Sequence, residues 1–243
     1  MQDKASTYDE KFYEVNVVGS LKSAKIVLSL LREHYKFLSA VDLGCGRGTW
    51  LKASLDLGAQ RVVGYDGVWN EGKILDNSIN FIPTDLTRIQ PDDEIFDLAI
   101  SLEVAEHLPE TYADQFINAI TKKSNLIVFA SAFTRQLGTS HVNEQYPSYW
   151  AKKFIKRGFY PVDFFRSKIW GDKDIEACYR QNMFLYVKRD DPSLIDIFKE
   201  DYLKNNLDFM DCMHPDIYLN RSGRDLISDF WVGMKRVISS KFS

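Results

Sequence analysis

The segment Val41-Asp42-Leu43-Gly44-Cys45-Gly46-Arg47-Gly48-Thr49 sets three glycines at alternate positions directly after a short apolar run. Glycines so placed let the backbone turn sharply at the end of a buried strand and approach a ligand closely. A helix from about Thr49 to Leu57, stopped by Gly58, then aims its free N–H groups at the same spot. Strand, glycine loop and helix open a βαβ unit. The alternation continues with strands over 61–65, 79–82, 96–102 and 125–130, and with helices over 111–122 and 147–157. Strands at 160–165 and 183–187 complete the series, and Leu21, Ala24, Val27, Leu28 and Leu31 predict a helix ahead of it. This pattern predicts an α/β fold: a doubly wound, mostly parallel seven-stranded Rossmann-like sheet covered on both faces.

The turn Arg189-Asp190-Asp191-Pro192 marks a boundary, with Pro placed to start a helix. We therefore divide the chain into a domain over 1–189 and a helical C-terminal appendage over 190–243. Two stripes, Leu194, Ile195, Phe198, Tyr202 and Leu203, then Leu226, Ile227, Phe230, Trp231 and Met234, suit packing on the body or on a second copy in a homodimer. Net charge is −3, too little positive charge to hold DNA or RNA without a local basic patch. Cys45, Cys178 and Cys212 are odd in number and form no CxxC pair, which speaks for a reducing cytoplasm. The N-terminal stretch lacks an apolar signal region and no apolar run reaches the ~20 residues of a membrane span, so neither export nor membrane insertion is expected.

The glycine loop departs from the dinucleotide fingerprint G-x-G-x-x-G, since the sixth position from Gly44 is Thr49, and it lacks the G-K-[ST] of a P-loop. It reads D-x-G-x-G-x-G, and here the sequence resembles the class I S-adenosylmethionine-dependent methyltransferases over about residues 38 to 188. Asp66 ends the second strand eighteen residues past Gly48, where an acid can accept from both ribose hydroxyls. The resemblance implies that Asp85, with Leu86, receives the adenine amino group. It also implies that Asp42, Gly44, Cys45, Gly46, Gly67 and Ser101 line the rest of the S-adenosylmethionine site.

A second constellation is Glu103-Val104-Ala105-Glu106-His107, at the end of the fourth strand. Spacing of i, i+3 and i+4 would bring Glu103, Glu106 and His107 to one face of a single helical turn, a donor set for a divalent ion. His141 follows the fifth strand, and its loop opens at the same end of the sheet, so it can supply a fourth ligand. Glu-x-x-Glu-His with a distant His is similar to the magnesium- or manganese-dependent small-RNA terminal 2′-O-methyltransferases. Its first part resembles the ubiquinone-biosynthesis O-methyltransferases. These resemblances imply a divalent cation held by Glu103, Glu106, His107 and His141. The residues equally allow His141, His107 or Glu106 to act as a general base without metal. His34 and His214 lie in polar surroundings and are read as surface residues.

The loop Ser131 to Trp150 carries Phe133, Tyr146, Tyr149 and Trp150 among Arg135, Asn143, Glu144 and Gln145, types that suit a hydroxyl-rich acceptor. Its stretch His141 to Trp150 looks like one in methyltransferases of bacterial capsule and lipopolysaccharide assembly. The expectation is an O-methyltransferase acting on a small polar acceptor, sugar-like or phosphorylated. The competing readings are RNA terminal ribose 2′-O-methylation and a non-catalytic S-adenosylmethionine-binding subunit.

Overall fold

Seven strands form one sheet in the order β3-β2-β1-β4-β5-β7-β6. They are β1 Ser39–Leu43, β2 Arg61–Asp66, β3 Asn80–Pro83, β4 Leu98–Leu102, β5 Leu126–Ala130, β6 Phe159–Val162 and β7 Phe184–Lys188. β3, β2, β1, β4 and β5 run parallel, while β7 lies antiparallel to both β5 and β6. This is the mostly parallel, seven-stranded Rossmann-like sheet that the strand and helix alternation implies. The computed structural model describes residues 10–202, 207–214 and 217 of the 243.

Central strands β4 and β5 are buried along their whole length, which is why they read as unbroken apolar runs. Among the described residues the named α-helices are α1 Glu10–Arg32, α2 Thr49–Asp56, α3 Ala113–Thr121, α4 Pro147–Lys156, α5 Arg166–Ile169, α6 Ala177–Asn182 and α7 Pro192–Phe198. One core layer joins α1 and α2 to the sheet through Ala24, Val27, Leu28, Leu31 and Leu51. The opposite layer packs Phe116, Ile120, Trp150 and Phe154 of α3 and α4. In it, Phe154 stacks on Tyr186 of β7 with ring centroids 3.8 Å apart. Truncating such a buried side chain typically costs about 2–5 kcal/mol, so this layer fixes where the loop ahead of α4 can lie.

Three local expectations need correction. β6 stops at Val162 instead of Phe165, because Phe164 and Phe165 turn inward into the core and the Asp163–Arg166 ion pair at 2.6 Å starts α5. The stripe after Pro192 is α-helical to Phe198 and 3₁₀ over Lys199–Asp201, where the helix ends; Tyr202 is extended and bridges Val162 of β6. His214 is buried, not on the surface: its Nε2 lies 2.7 Å from the Trp170 carbonyl oxygen and 3.1 Å from Arg180 Nη1. His34 is exposed and meets Phe164 edge-on. Asp191 caps α7 by accepting from Leu194 N at 3.1 Å, with Pro192 in the first turn.

The short helical segment Leu207–Asp211 lies against α4, where Asp211 accepts from Ser148 N at 2.9 Å and from its hydroxyl at 2.6 Å. The stripe Leu226 to Met234 lies outside the described residues, as does Leu203. Among the described residues, no helix is long and apolar enough to cross a membrane. All three cysteines are free thiols.

Candidate active site

Both predicted constellations lie at the C-terminal ends of the parallel strands, the edge where open α/β sheets bind ligands. Gly44 follows β1 with φ 94°, and a Cβ there would stand 2.3 Å from Val104 Cγ2. Only glycine lets the loop turn and Val104 fill that space, so the glycine loop and the Glu103–His107 segment are packed onto one another. Ser101 Oγ donates to the Leu43 carbonyl at 2.8 Å and ties β4 to β1 just beneath this contact.

Asp42 is buried and its Oδ1 has no hydrogen-bond partner. Burial, reinforced by nearby Asp66, pushes its carboxyl well above the usual carboxylate range. A cationic donor would relieve both conditions at once. Asp66 is tied to the loop by its Oδ2, which accepts from Gly46 N at 2.7 Å, and by its Oδ1, which accepts from Gly67 N at 2.6 Å. Burial raises the Asp66 carboxyl, and those two N–H donors oppose the rise. The Asn70 side chain donates to the same carboxylate, which keeps capacity to accept a further hydrogen bond.

Cys45 is buried, with Sγ 3.6 Å from the Gly46 carbonyl, and burial drives its thiol far up, so it is inert filling. Asp85 is exposed and closes its own turn, accepting from Thr87 N at 3.0 Å and from the Thr87 hydroxyl at 2.6 Å. Leu86 packs partly buried on the core layer beside β1.

The second constellation is built differently from one turn of α-helix. Glu103 takes φ 55°, in the left-handed region, and a 3₁₀ turn follows over Ala105–His107. Glu103 therefore stays outside the converging donor group and is held by amides, accepting from Gln136 Nε2 and Asn182 Nδ2, each at 3.0 Å. Glu106, His107 and His141 do converge: one donor atom from each lies within 4.8 Å of the others. Glu106 is fully buried, accepts from Ser131 Oγ at 3.0 Å through Oε2, and has no hydrogen-bond partner at Oε1. That free oxygen lies 4.0 Å from His141 Nε2. Burial, and then the charge of Glu103, push the Glu106 carboxyl well up. The rings of His107 and His141 meet edge to face with centroids 4.8 Å apart.

The loop after β5 is clamped onto this turn, since Val142 N and Asn143 N both donate to the Glu106 carbonyl, at 2.9 and 3.0 Å. Among the described residues, the non-glycine positions at positive φ are Glu103, Arg135, Leu137 and Ser140, all in or beside the cluster. Backbone strain concentrated in this way is a mark of functional geometry. A carboxylate oxygen without a partner beside two imidazoles is a donor set that fits a divalent first-row ion.

Ser131, Gln136, Glu144 and Asn182 support the site; the sequence assigns only Glu144 a part, as a polar loop residue facing an acceptor. Asn182 carried no signal, because it reaches Glu103 from the end of the unanticipated helix α6. Phe133 and Trp150 are core residues, so the aromatic face left to meet an acceptor is Tyr146, 48% exposed, with half-buried Tyr149 tied to Glu110 at 3.1 Å.

Fold and strand-edge site together define an S-adenosylmethionine-dependent methyltransferase, and similarity to known proteins agrees. A methyltransferase domain of bacterial CtHen1 is 14% identical over 70% of this chain and 98% of its own, with a TM-score of 0.52. The plantazolicin methyltransferase BpumL, solved with S-adenosylhomocysteine, is 15% identical over 74% of this chain and 91% of its own, at 0.52. An S-adenosylmethionine-dependent methyltransferase from Archaeoglobus fulgidus is 20% identical over 62% of this chain and 75% of its own, at 0.50. At these identities the likeness is one of fold. No functionally curated protein matches the chain. A family model does match, over residues 21–180, and the chain belongs to the FtsJ-like methyltransferase family.

Proposed function

We propose that this enzyme is an O-methyltransferase assisted by a divalent ion, Mg²⁺ or Mn²⁺, whose acceptor is a small polar, sugar-like or phosphorylated molecule. A sugar nucleotide or a precursor of capsule or lipopolysaccharide is the fitting class, and the cytoplasm is the fitting compartment. One observation carries this reading: buried Glu106 keeps an unpartnered oxygen, and its carboxylate converges with ring nitrogens of His107 and His141 to within 4.8 Å.

The sulfonium methyl of S-adenosylmethionine is already electrophilic, so the protein's task is to align an acceptor oxygen and manage one proton. A divalent ion supplies Lewis acidity that lowers the pKa of such an oxygen. Glu106, His107 and His141 are the residues that would hold it. Asp42, with its unpartnered Oδ1, would take the cofactor's ammonium group, and Asp66, which holds the glycine loop, would accept from the ribose. Tyr146 offers an aromatic face to a sugar or base. The mildly acidic chain, with net charge −3, supports a small acceptor over RNA.

The test is transfer of labelled methyl from S-adenosylmethionine to a panel of sugar nucleotides and to short RNA ends, with and without chelator. Transfer to a sugar nucleotide that stops in chelator and returns with Mn²⁺ is the expected result. Transfer to RNA alone would replace the acceptor class. Full turnover in excess chelator would leave His141 as a metal-free base, and no turnover on any acceptor would favour a subunit that only binds the cofactor.

A further inference from the structure

His141 is gripped from two sides by residues that belong to neither the ligand set nor the cofactor loop. On one side Glu144 Oε1 lies 2.8 Å from His141 Nδ1. A carboxylate in this position accepts, so Nδ1 carries the hydrogen and Nε2 keeps its lone pair. On the other side is Gly138, where a Cβ would stand 2.2 Å from both Cε1 and Nε2 of the ring. Glycine is thus required for the ring to lie flat against the chain.

Glu144 is itself fixed by backbone. Its Oε2 accepts from Arg135 N at 2.9 Å and its Oε1 from Leu137 N at 2.7 Å. Arg135 and Leu137 are two of the four strained positive-φ residues, so the loop is bent to present these N–H groups to one carboxylate. The outcome is a chain of contacts from loop backbone to Glu144, to His141 Nδ1, and from Nε2 toward Glu106 Oε1 at 4.0 Å.

We propose that Glu144 is a positioning residue that holds His141 as the Nδ1–H tautomer, turns Nε2 toward Glu106 and His107, and thereby sets the affinity of the site for a divalent ion. This inference deepens the metal reading above and rests on it for its effect on affinity. Its effect on the tautomer stands independently. Outer partners of metal-binding histidines typically contribute 10–100-fold to affinity.

The experiment uses the full chain, and compares wild type with Glu144→Ala, Glu144→Gln and Gly138→Ala. Metal-free samples are read by long-range ¹H–¹⁵N imidazole spectra, Mn²⁺ binding by calorimetry, and S-adenosylhomocysteine binding as the control for folding. Wild type and Glu144→Gln should show His141 as Nδ1–H, since Gln keeps an accepting oxygen. Glu144→Ala should show mixed tautomers and a 10–100-fold loss of Mn²⁺ affinity, with Gln losing less and S-adenosylhomocysteine affinity unchanged in both. Gly138→Ala should lose Mn²⁺ affinity by displacing the ring although Glu144 is intact. If Glu144→Ala retains the wild-type tautomer, the positioning role is wrong. If wild type binds no Mn²⁺, the metal reading fails, while the tautomer measurement still decides what Glu144 does. A general drop in S-adenosylhomocysteine affinity in Glu144→Ala would assign Glu144 to loop folding and overturn the proposal.

Discussion

Glu106→Gln should make the metal-free protein more stable while destroying its affinity for a divalent ion. Glu106 is fully buried, one of its oxygens has no partner, and both burial and Glu103 raise its carboxyl well above the ordinary range. An acid whose folded pKa lies above its unfolded value of about 4.3 binds its proton more tightly when folded. Its penalty is therefore absent below that unfolded value, grows as pH rises toward the folded pKa, and is constant beyond it. A neutral amide keeps the Ser131 contact through its own oxygen and escapes the charge penalty. Relief of a desolvated group of this kind is worth about 1–3 kcal/mol. For a chain of this size that is a rise of about 2–12 °C in melting temperature. Thermal melts in chelator at pH 4.5, 6 and 8 should show the variant gaining on wild type as pH increases. Added Mn²⁺ should raise wild type and leave the variant unmoved. A variant that is less stable at every pH, or a difference that does not change with pH, would refute this account of Glu106.

Asp66→Ala should weaken S-adenosylhomocysteine binding at least tenfold by calorimetry, because it removes the proposed acceptor for ribose and releases Gly46 and Gly67 together. Gly44→Ala should abolish cofactor binding and lower the melting temperature, since the added methyl meets Val104 at a φ that favours glycine; wild-type affinity would contradict the packing described. His141→Ala should cut the rate of methyl transfer by roughly a hundredfold or more with cofactor affinity nearly unchanged. Asp191→Ala should cost about 0.5–2 kcal/mol in chemical denaturation through loss of the α7 cap, without changing cofactor affinity.

The sheet was legible because buried parallel strands leave unbroken apolar runs between helical segments, and all seven strands fell close to their expected places. The glycine loop was legible for the same reason that it is built of glycine: its backbone demand has few other solutions. Elements with weak local signals were not. α5 and α6 are short, and depend on contacts such as Arg166 with Asp163 and Arg180 with the carbonyls of Trp170 and Ile175. His214 looked polar from its neighbours, but it is buried by partners more than thirty positions away. At the site, helical spacing led to Glu103 as part of one face, whereas its positive φ turns it to Gln136 and Asn182. The convergence of His141 with Glu106 and His107 followed from strand order, since β5 lies beside β4. Periodicity describes regular elements, and this site is made from the irregular ends of them.

Crystals grown with S-adenosylhomocysteine and Mn²⁺ test, by anomalous scattering at the manganese edge, the proposal that Glu106, His107 and His141 together hold a divalent ion. One strong anomalous peak bonded by these three side chains is expected, and its loss in crystals of Glu106→Gln. Clean density for the three side chains with no peak between them at saturating Mn²⁺, or a peak only elsewhere on the molecule, would contradict it.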